Sequence, residues 1–225
     1  MLWAVVIVVL GAGGGALDQA RAQEDQGQPL AALATLEQAV AADPRWVLAR
    51  LELGRLALAQ GVKTEAALHH LDVARSLSPE NPRAHYLFAL AADEQGLRGQ
   101  ARRALEVALL LRPDYGDAGY RLAGLLVSEG RFADAAALLS RYLAAHPEAT
   151  GARSQLASAL ERAGDLKGAE RELRELLKVP GQRLLAGRRL ADLLERSGRK
   201  AEAAKLRASL EPPRRQLREL KPSRR

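Results

Sequence analysis

Apolar residues recur at helical spacing along most of the chain, and the pattern is clearest from Asn81 to Pro113. Leu87, Phe88, Ala91 and Ala92 fall on one face of a first helix. Asn81 suits its N-cap and Pro82 its first turn, where a missing N–H costs nothing. Gly96 is placed to end it, because glycine enters the left-handed C-cap conformation cheaply. A second helix follows, with Ala101, Ala104, Leu105, Ala108 and Leu111 on one face, and Pro113 punctuates its end. No segment shows sustained period-two alternation, so no strand is expected. Neither helix can bury its apolar stripe alone, so the hairpin needs neighbours.

The neighbours are written at a fixed period. Gly27, Gly61, Gly96, Gly130, Gly164 and Gly198 are spaced by 34 or 35 residues. Five residues after each stands an alanine: Ala32, Ala66, Ala101, Ala135, Ala169 and Ala203. Seven residues before each stands a small residue: Ala20, Gly54, Ala89, Ala123, Ala157 and Ala191. Small side chains belong where the two helices of a hairpin cross, since larger ones push the backbones apart. A larger apolar residue precedes that slot at Leu53, Phe88, Leu122, Leu156 and Leu190, and Gln19 breaks the rule in the first hairpin. Prolines close the hairpins at Pro44, Pro79, Pro113, Pro147, Pro180 and Pro213. His70 and Arg207 stand where other hairpins have Leu105, Leu139 and Leu173. The second hairpin runs one residue long, which offers Leu71 for the slot. Arg207 reads as a polar cap on a terminal unit.

This arrangement resembles the tetratricopeptide repeat, a 34-residue helix–turn–helix with small residues at two crossing positions and a closing proline. The resemblance covers roughly residues 13 to 213, as six units: 13–44, 45–79, 80–113, 114–147, 148–180 and 181–213. It implies an all-α fold, a right-handed superhelical solenoid of about six hairpins. The domain reading is a hydrophobic segment over 1–17, the solenoid over 18–213 and a basic tail over 214–225. Alanine and leucine richness fits thin stacked layers, which need little of the aromatic bulk that two Phe, two Trp and four Tyr would supply.

Residues 2–17 are uncharged and apolar, but shorter than the roughly 20 residues that span a bilayer. Three readings stand: an uncleaved anchor through Leu2, Trp3, Val5, Val6, Ile7, Val8, Val9 and Leu10; a signal peptide cut before Leu17; or a strap folded on the first hairpin. The expectation is the anchor, with the repeats membrane-tethered and on the exported, periplasmic side. A cut after Ala22 ranks lower, since it would remove half the first repeat helix.

Charge is uneven. Residues 151–225 carry 20 Lys/Arg against 10 Asp/Glu, and residues 1–150 carry 14 against 17. A basic third of this kind attracts anionic lipid or nucleic acid. Glu170, Glu172, Glu175, Glu195 and Glu202 are interleaved with the bases, however, which reads as a solvated helix surface. Nucleic acid is disfavoured as a partner, because the segment has no aromatic residue to stack bases.

The chain has no cysteine, which excludes disulfides, thiol catalysis and zinc–thiolate sites. His69 and His70 point about 100° apart on a helix, so they cannot share a metal. His85 and His146 read as ordinary helix surface. No Ser–His pair, phosphate loop or carboxylate cluster stands at catalytic spacing. No metal, cofactor or small-molecule substrate is expected, and the chain reads as a non-enzyme.

The resemblance implies that the first helix of each hairpin lines a concave surface that takes a peptide or partner helix. Carried over unit by unit, the groove positions are Leu51 and Arg55; Tyr86, Leu90 and Asp93; Tyr120 and Gly124; Ser154 and Ser158; and Arg188 and Asp192. Leu51, Tyr86, Leu90 and Tyr120 make an apolar, aromatic strip, and the later positions are polar. That pattern suits an amphipathic partner with a polar or acidic end. The same tyrosines also suit packing between neighbouring first helices. The family's carboxylate clamp of lysine and asparagine is absent, since the only asparagine is Asn81. The expected role is a tethered scaffold that assembles or stabilises an envelope complex. The alternatives are a soluble chaperone-like adaptor or a binder of membrane surface or nucleic acid through the basic third.

Overall fold

The glycine that ends each first helix sets the chain reversal. Gly27, Gly61, Gly96, Gly130, Gly164 and Gly198 all have positive φ, between +63° and +89°. At Gly61 this left-handed turn lets its own N–H reach the Leu58 carbonyl while the Val62 N–H closes onto Ala57. Both bonds satisfy carbonyls that a helix end would otherwise leave unpaired. The computed structural model describes residues 15–62 and 64–210. The anchor positions Leu2 to Leu10 and the basic tail from Arg214 lie outside them.

Twelve helices and no strand are found among the described residues. They are α1 (15–25), α2 (Pro29–Ala42), α3 (Val47–Gln60), α4 (Thr64–Leu77), α5 (Pro82–Glu94) and α6 (Arg98–Leu111), then α7 (Gly116–Ser128), α8 (Phe132–Ala145), α9 (Thr150–Ala163), α10 (Leu166–Leu177), α11 (Arg183–Arg196) and α12 (Lys200–Leu210). The order is the six hairpins expected from the period, an all-α solenoid of helical hairpins. Asn81 caps α5 as expected, accepting from the Arg83 N–H at 3.0 Å, with Pro82 in the first turn. Asp165 caps α10 in the same way through the Gly168 N–H, and no reading of the sequence pointed to it.

The chain divides into two compact units, one up to Ala118 and one from Gly119, with the division near the start of α7. The first unit is built on a core of Leu33, Leu36, Val40, Leu53 and Leu56. Leu17 and Ala20 of α1 belong to the same core, and Ala16 packs against it. The boundary read at residue 17 therefore falls inside a helix. Leu71 is fully buried and fills the slot that His70 would have taken. The reason is the extra residue in the turn before α4. It also moves the small crossing residue by one: Ala67 is buried and Ala66 is exposed, which corrects the expectation for Ala66.

The second unit has a core of Ala157, Ala169, Leu173, Leu176, Leu190, Ala191 and Ala203. These include the crossing residues of two hairpins, at the positions the period gave. Burying each such leucine contributes ~1.5–3 kcal/mol. Arg207 is exposed and donates to Asp192 and Glu195 of α11, at 2.8 and 2.6 Å. A charged residue thus ends the apolar stripe on α12.

Candidate functional site

First helices carry two sides with different chemistry. On α5, His85, Phe88 and Ala92 are buried, whereas Tyr86 and Leu90 are half-buried and Asp93 is exposed. Helical rotation puts Tyr86, Leu90 and Asp93 within an arc of about 60°, whose centre lies about 140° from that of His85 and Phe88. Tyr86 packs on Tyr115, with ring centroids 5.0 Å apart. Burial pushes the Tyr115 phenol up, and Tyr86 adds to the shift.

An ion-pair ladder runs along the same first helices of this unit. Arg55 on α3 donates to Glu24 on α1 at 2.6 Å and to Glu52 at 2.7 Å. Glu52 accepts in turn from Arg83 on α5 at 2.6 Å. Burial opposes the charge on Glu52, but the two guanidiniums hold its carboxyl below the usual glutamate value. Arg55 is raised, chiefly by its bond to Glu24. Arg55 is therefore a strut between α1 and α3, and Glu52 carries the ladder on to α5. Leu51 is 2% exposed and is part of the interior, which corrects its place among partner-contacting residues. The helix turns it inward.

In the second unit Tyr120 is half-buried and stacks on Tyr142, with centroids 4.9 Å apart. Its hydroxyl accepts from Gln155 at 2.8 Å. Gly124 is exposed, and a β-carbon there would touch nothing within 4 Å. Ser154 and Ser158 are half-buried and both accept from Arg189, at 3.3 and 2.8 Å. Arg189 also lies 3.6 Å from Glu161, which Arg196 bonds as well. Arg188 and Asp192 are exposed, Asp192 beside Arg207. Leu51 apart, the carried-over positions lie on the partly or fully exposed sides of first helices within each unit. Arg189 and Gln155, which join neighbouring first helices there, were missed.

A signal for such bridges exists in the numbering. Glu24–Arg55, Glu52–Arg83 and Ser158–Arg189 are each 31 residues apart. Tyr120–Gln155 and Glu161–Arg196 are each 35 apart. Both separations are one repeat displaced by about a helical turn or a single residue. A second rule was also legible. Arg50, His85 and Arg153 each stand six residues after a closing proline. Each binds that proline's carbonyl at 2.7 Å: Pro44, Pro79 and Pro147. His85 is consequently buried, at 6% exposure, and is not the surface residue expected. His70 accepts from Arg50 at 2.9 Å through Nδ1. Burial, then Arg50, pushes its pKa down.

The five interleaved glutamates of the basic third all pair with bases. Glu170 meets Arg174 and Arg199, Glu172 meets Arg153, and Glu175 meets Lys178. Glu195 meets Arg207 and Glu202 meets Arg199. Among the described residues there is no cluster of three or more metal-ligating side chains, and no helix long and apolar enough to cross a membrane.

Stacked hairpins with buried small residues at each crossing, and polar and aromatic side chains on the first helices, define a helical-repeat protein. Models described as tetratricopeptide repeat match residues 17–82, 98–148 and 126–186, and the chain belongs to that family. No curated protein matches the sequence. Solved structures with the same fold include YrrB, described as a TPR protein with an unusual peptide-binding site. It is 19% identical over 76% of this chain and 88% of its own, with a TM-score of 0.70. PilW, described as a widely conserved type IV pilus biogenesis factor, is 22% identical over 87% and 92%, at 0.66. MamA is 22% identical over 75% and 96%, at 0.64.

Proposed function

We propose that this protein is a non-enzymatic tetratricopeptide scaffold that holds a segment of a protein partner on its first-helix faces. The observation that carries the reading is the division of α5. One arc is sealed into the core, and the opposite arc presents Tyr86, Leu90 and Asp93 to solvent or partner. An aromatic and aliphatic anchor beside a carboxylate is the composition that binding hot spots favour. Tyr120, Gly124, Arg188 and Asp192 offer the same mixture on the second unit. YrrB, described as having a peptide-binding site, supports the mode of binding.

The finer reading places the scaffold at a membrane, tethered through Leu2 to Leu10 with the repeats on the exported side, where it assembles or stabilises an envelope complex. The apolar run of the sequence supports it, as does the likeness to a pilus biogenesis factor. The test is photo-crosslinking in native membranes, with a photoreactive phenylalanine at position 90 or 124 and at the second-helix position 110 as control. Adducts to one protein from 90 and 124, lost on membrane extraction of the partner, are expected. Equal labelling from all three positions would sink the reading, and recovery of the chain in the soluble fraction would remove the tether.

A further inference from the structure

We propose that a cleft between α4, α5 and α6 binds an oxyanion, a carboxylate or phosphate group, on the side of α5 that faces away from Tyr86 and Leu90. The cleft has a volume of about 250 Å³ and is bordered by Arg75, His85, Phe88, Gln100, Arg103 and Val107, with Ala104. This border holds two guanidiniums and a carboxamide, and no aspartate or glutamate.

Two buried nitrogens on this border lack a hydrogen-bond partner, Arg75 Nε and His85 Nδ1. Buried polar atoms are paired in the great majority of cases, so two orphans at one cleft call for a ligand. The His85 ring is fixed by its other nitrogen. Nε2 lies 2.7 Å from the Pro79 carbonyl, which only accepts, so Nε2 carries the proton. Nδ1 then accepts from an anion that brings its own O–H, as hydrogen phosphate does. A carboxylate instead accepts from the Arg75 Nε–H, with Nδ1 served by a hydroxyl of the same ligand or by a water. Both partners are oxyanions.

The guanidiniums are arranged to supply the charge. Arg75 is stacked over the Phe88 ring, 4.2 Å from its centroid, which holds the group in one plane. One of its terminal nitrogens is committed to Asp72. Arg103 is exposed on α6, and no ion pair to it is found among the described residues. Charge-assisted bonds from arginine to carboxylate or phosphate are among the stronger polar contacts. Phe88, Ala104 and Val107 give the cleft an apolar wall for the body of an organic anion. The inference does not rest on the partner-binding reading, because His85 and Phe88 lie on the opposite arc of α5.

The experiment follows the histidine ring resonances of the full chain while inorganic phosphate, or separately glutarate, is titrated at constant ionic strength. His85 resonances are expected to shift saturably, with His69 and His146 unmoved as internal controls. Arg103→Ala removes an exposed side chain and leaves the fold intact. It is expected to weaken binding about tenfold or more. Arg171→Ala, an exposed arginine of α10, leaves the affinity unchanged. Saturation by phosphate alone assigns the site to phosphate groups, by glutarate alone to carboxylates, and by both to oxyanions in general. No saturable shift with either probe, or an affinity indifferent to Arg103→Ala, overturns the proposal.

Discussion

Leu71 lies on the α-carbon of Gly54, so close that a β-carbon on Gly54 would stand 2.4 Å from Leu71 Cγ and within 2.8 Å of both methyl groups. The other five hairpins carry alanine at that crossing. The second carries glycine because its turn holds one extra residue, which rotates Leu71 in place of His70 onto α3.

Gly54→Ala is therefore expected to destabilise the first unit. Alanine gains up to ~1 kcal/mol of helix propensity over glycine. Overpacking a closed contact typically costs ~1–3 kcal/mol, and the buried head of Leu71 has no room to move as a body. Urea denaturation of Gly54→Ala, Leu71→Ala and the double variant checks this. The double variant should be less destabilised than the sum of the single changes, because Leu71→Ala vacates the space the new methyl needs. Additivity would mean that the two side chains do not meet.

Much of this was legible in the sequence, and the limit is instructive. The six glycines, the closing prolines and the crossing alanines are dictated by backbone reversal and helix approach, so fixed offsets carry them. One inserted residue in the turn before α4 was enough to move the buried alanine from Ala66 to Ala67, since each helical residue turns by about 100°. The polar interior was harder. Arg50, Glu52 and His85 are buried because they serve carbonyls and ion pairs in neighbouring hairpins, and burial of a charged residue is not written in its own hydropathy. Leu51 shows the same limit, since its repeat position alone does not reveal that it is 2% exposed.

Leu105→Ala tests the packing between α5 and α6. Leu105 is 2% exposed and shares the buried face of α6 with Ala101, Ala104 and Ala108, so its truncation leaves that face without a large side chain. A loss of ~2–5 kcal/mol is expected, read as a lower urea midpoint at unchanged slope. An unchanged midpoint would place Leu105 outside the core.

Glu52 gives a pH dependence with a defined sign. Its carboxyl is held below the usual glutamate value in the folded chain, despite burial, by Arg55 and Arg83. Its contribution to stability is therefore fully present above the unfolded value, about 4.3, and is lost as pH falls through the depressed folded value. Glu52→Gln should be less stable than the parent at neutral pH. The gap should narrow below about pH 4.3. Glu170, Glu175 and Glu202 are also lowered, but both proteins share them, so the difference curve isolates Glu52. A gap that stays constant from neutral to acid pH would show that the ladder adds no proton-linked stability.

Tyr86 and Tyr120 separate the two meanings of an aromatic first helix. Each is half-buried and rests on a second tyrosine, Tyr115 or Tyr142, within its own unit. If the rings serve the partner, replacing both by alanine should weaken partner binding several-hundredfold, since removing a buried aromatic anchor costs ~2 kcal/mol or more at each site. Helicity should stay nearly intact, because neither ring fills a helix crossing; those crossings are occupied by Ala89 and Ala123. If the rings serve only their neighbours, the melting temperature drops and affinity per folded molecule is unchanged. Calorimetric binding to the crosslinked partner, measured beside circular dichroism on the same samples, distinguishes the two. The same comparison with Asp93→Ala, an exposed side chain two turns from Tyr86 on the same arc of α5, shows whether charge on that face contributes to recognition without any change in the fold.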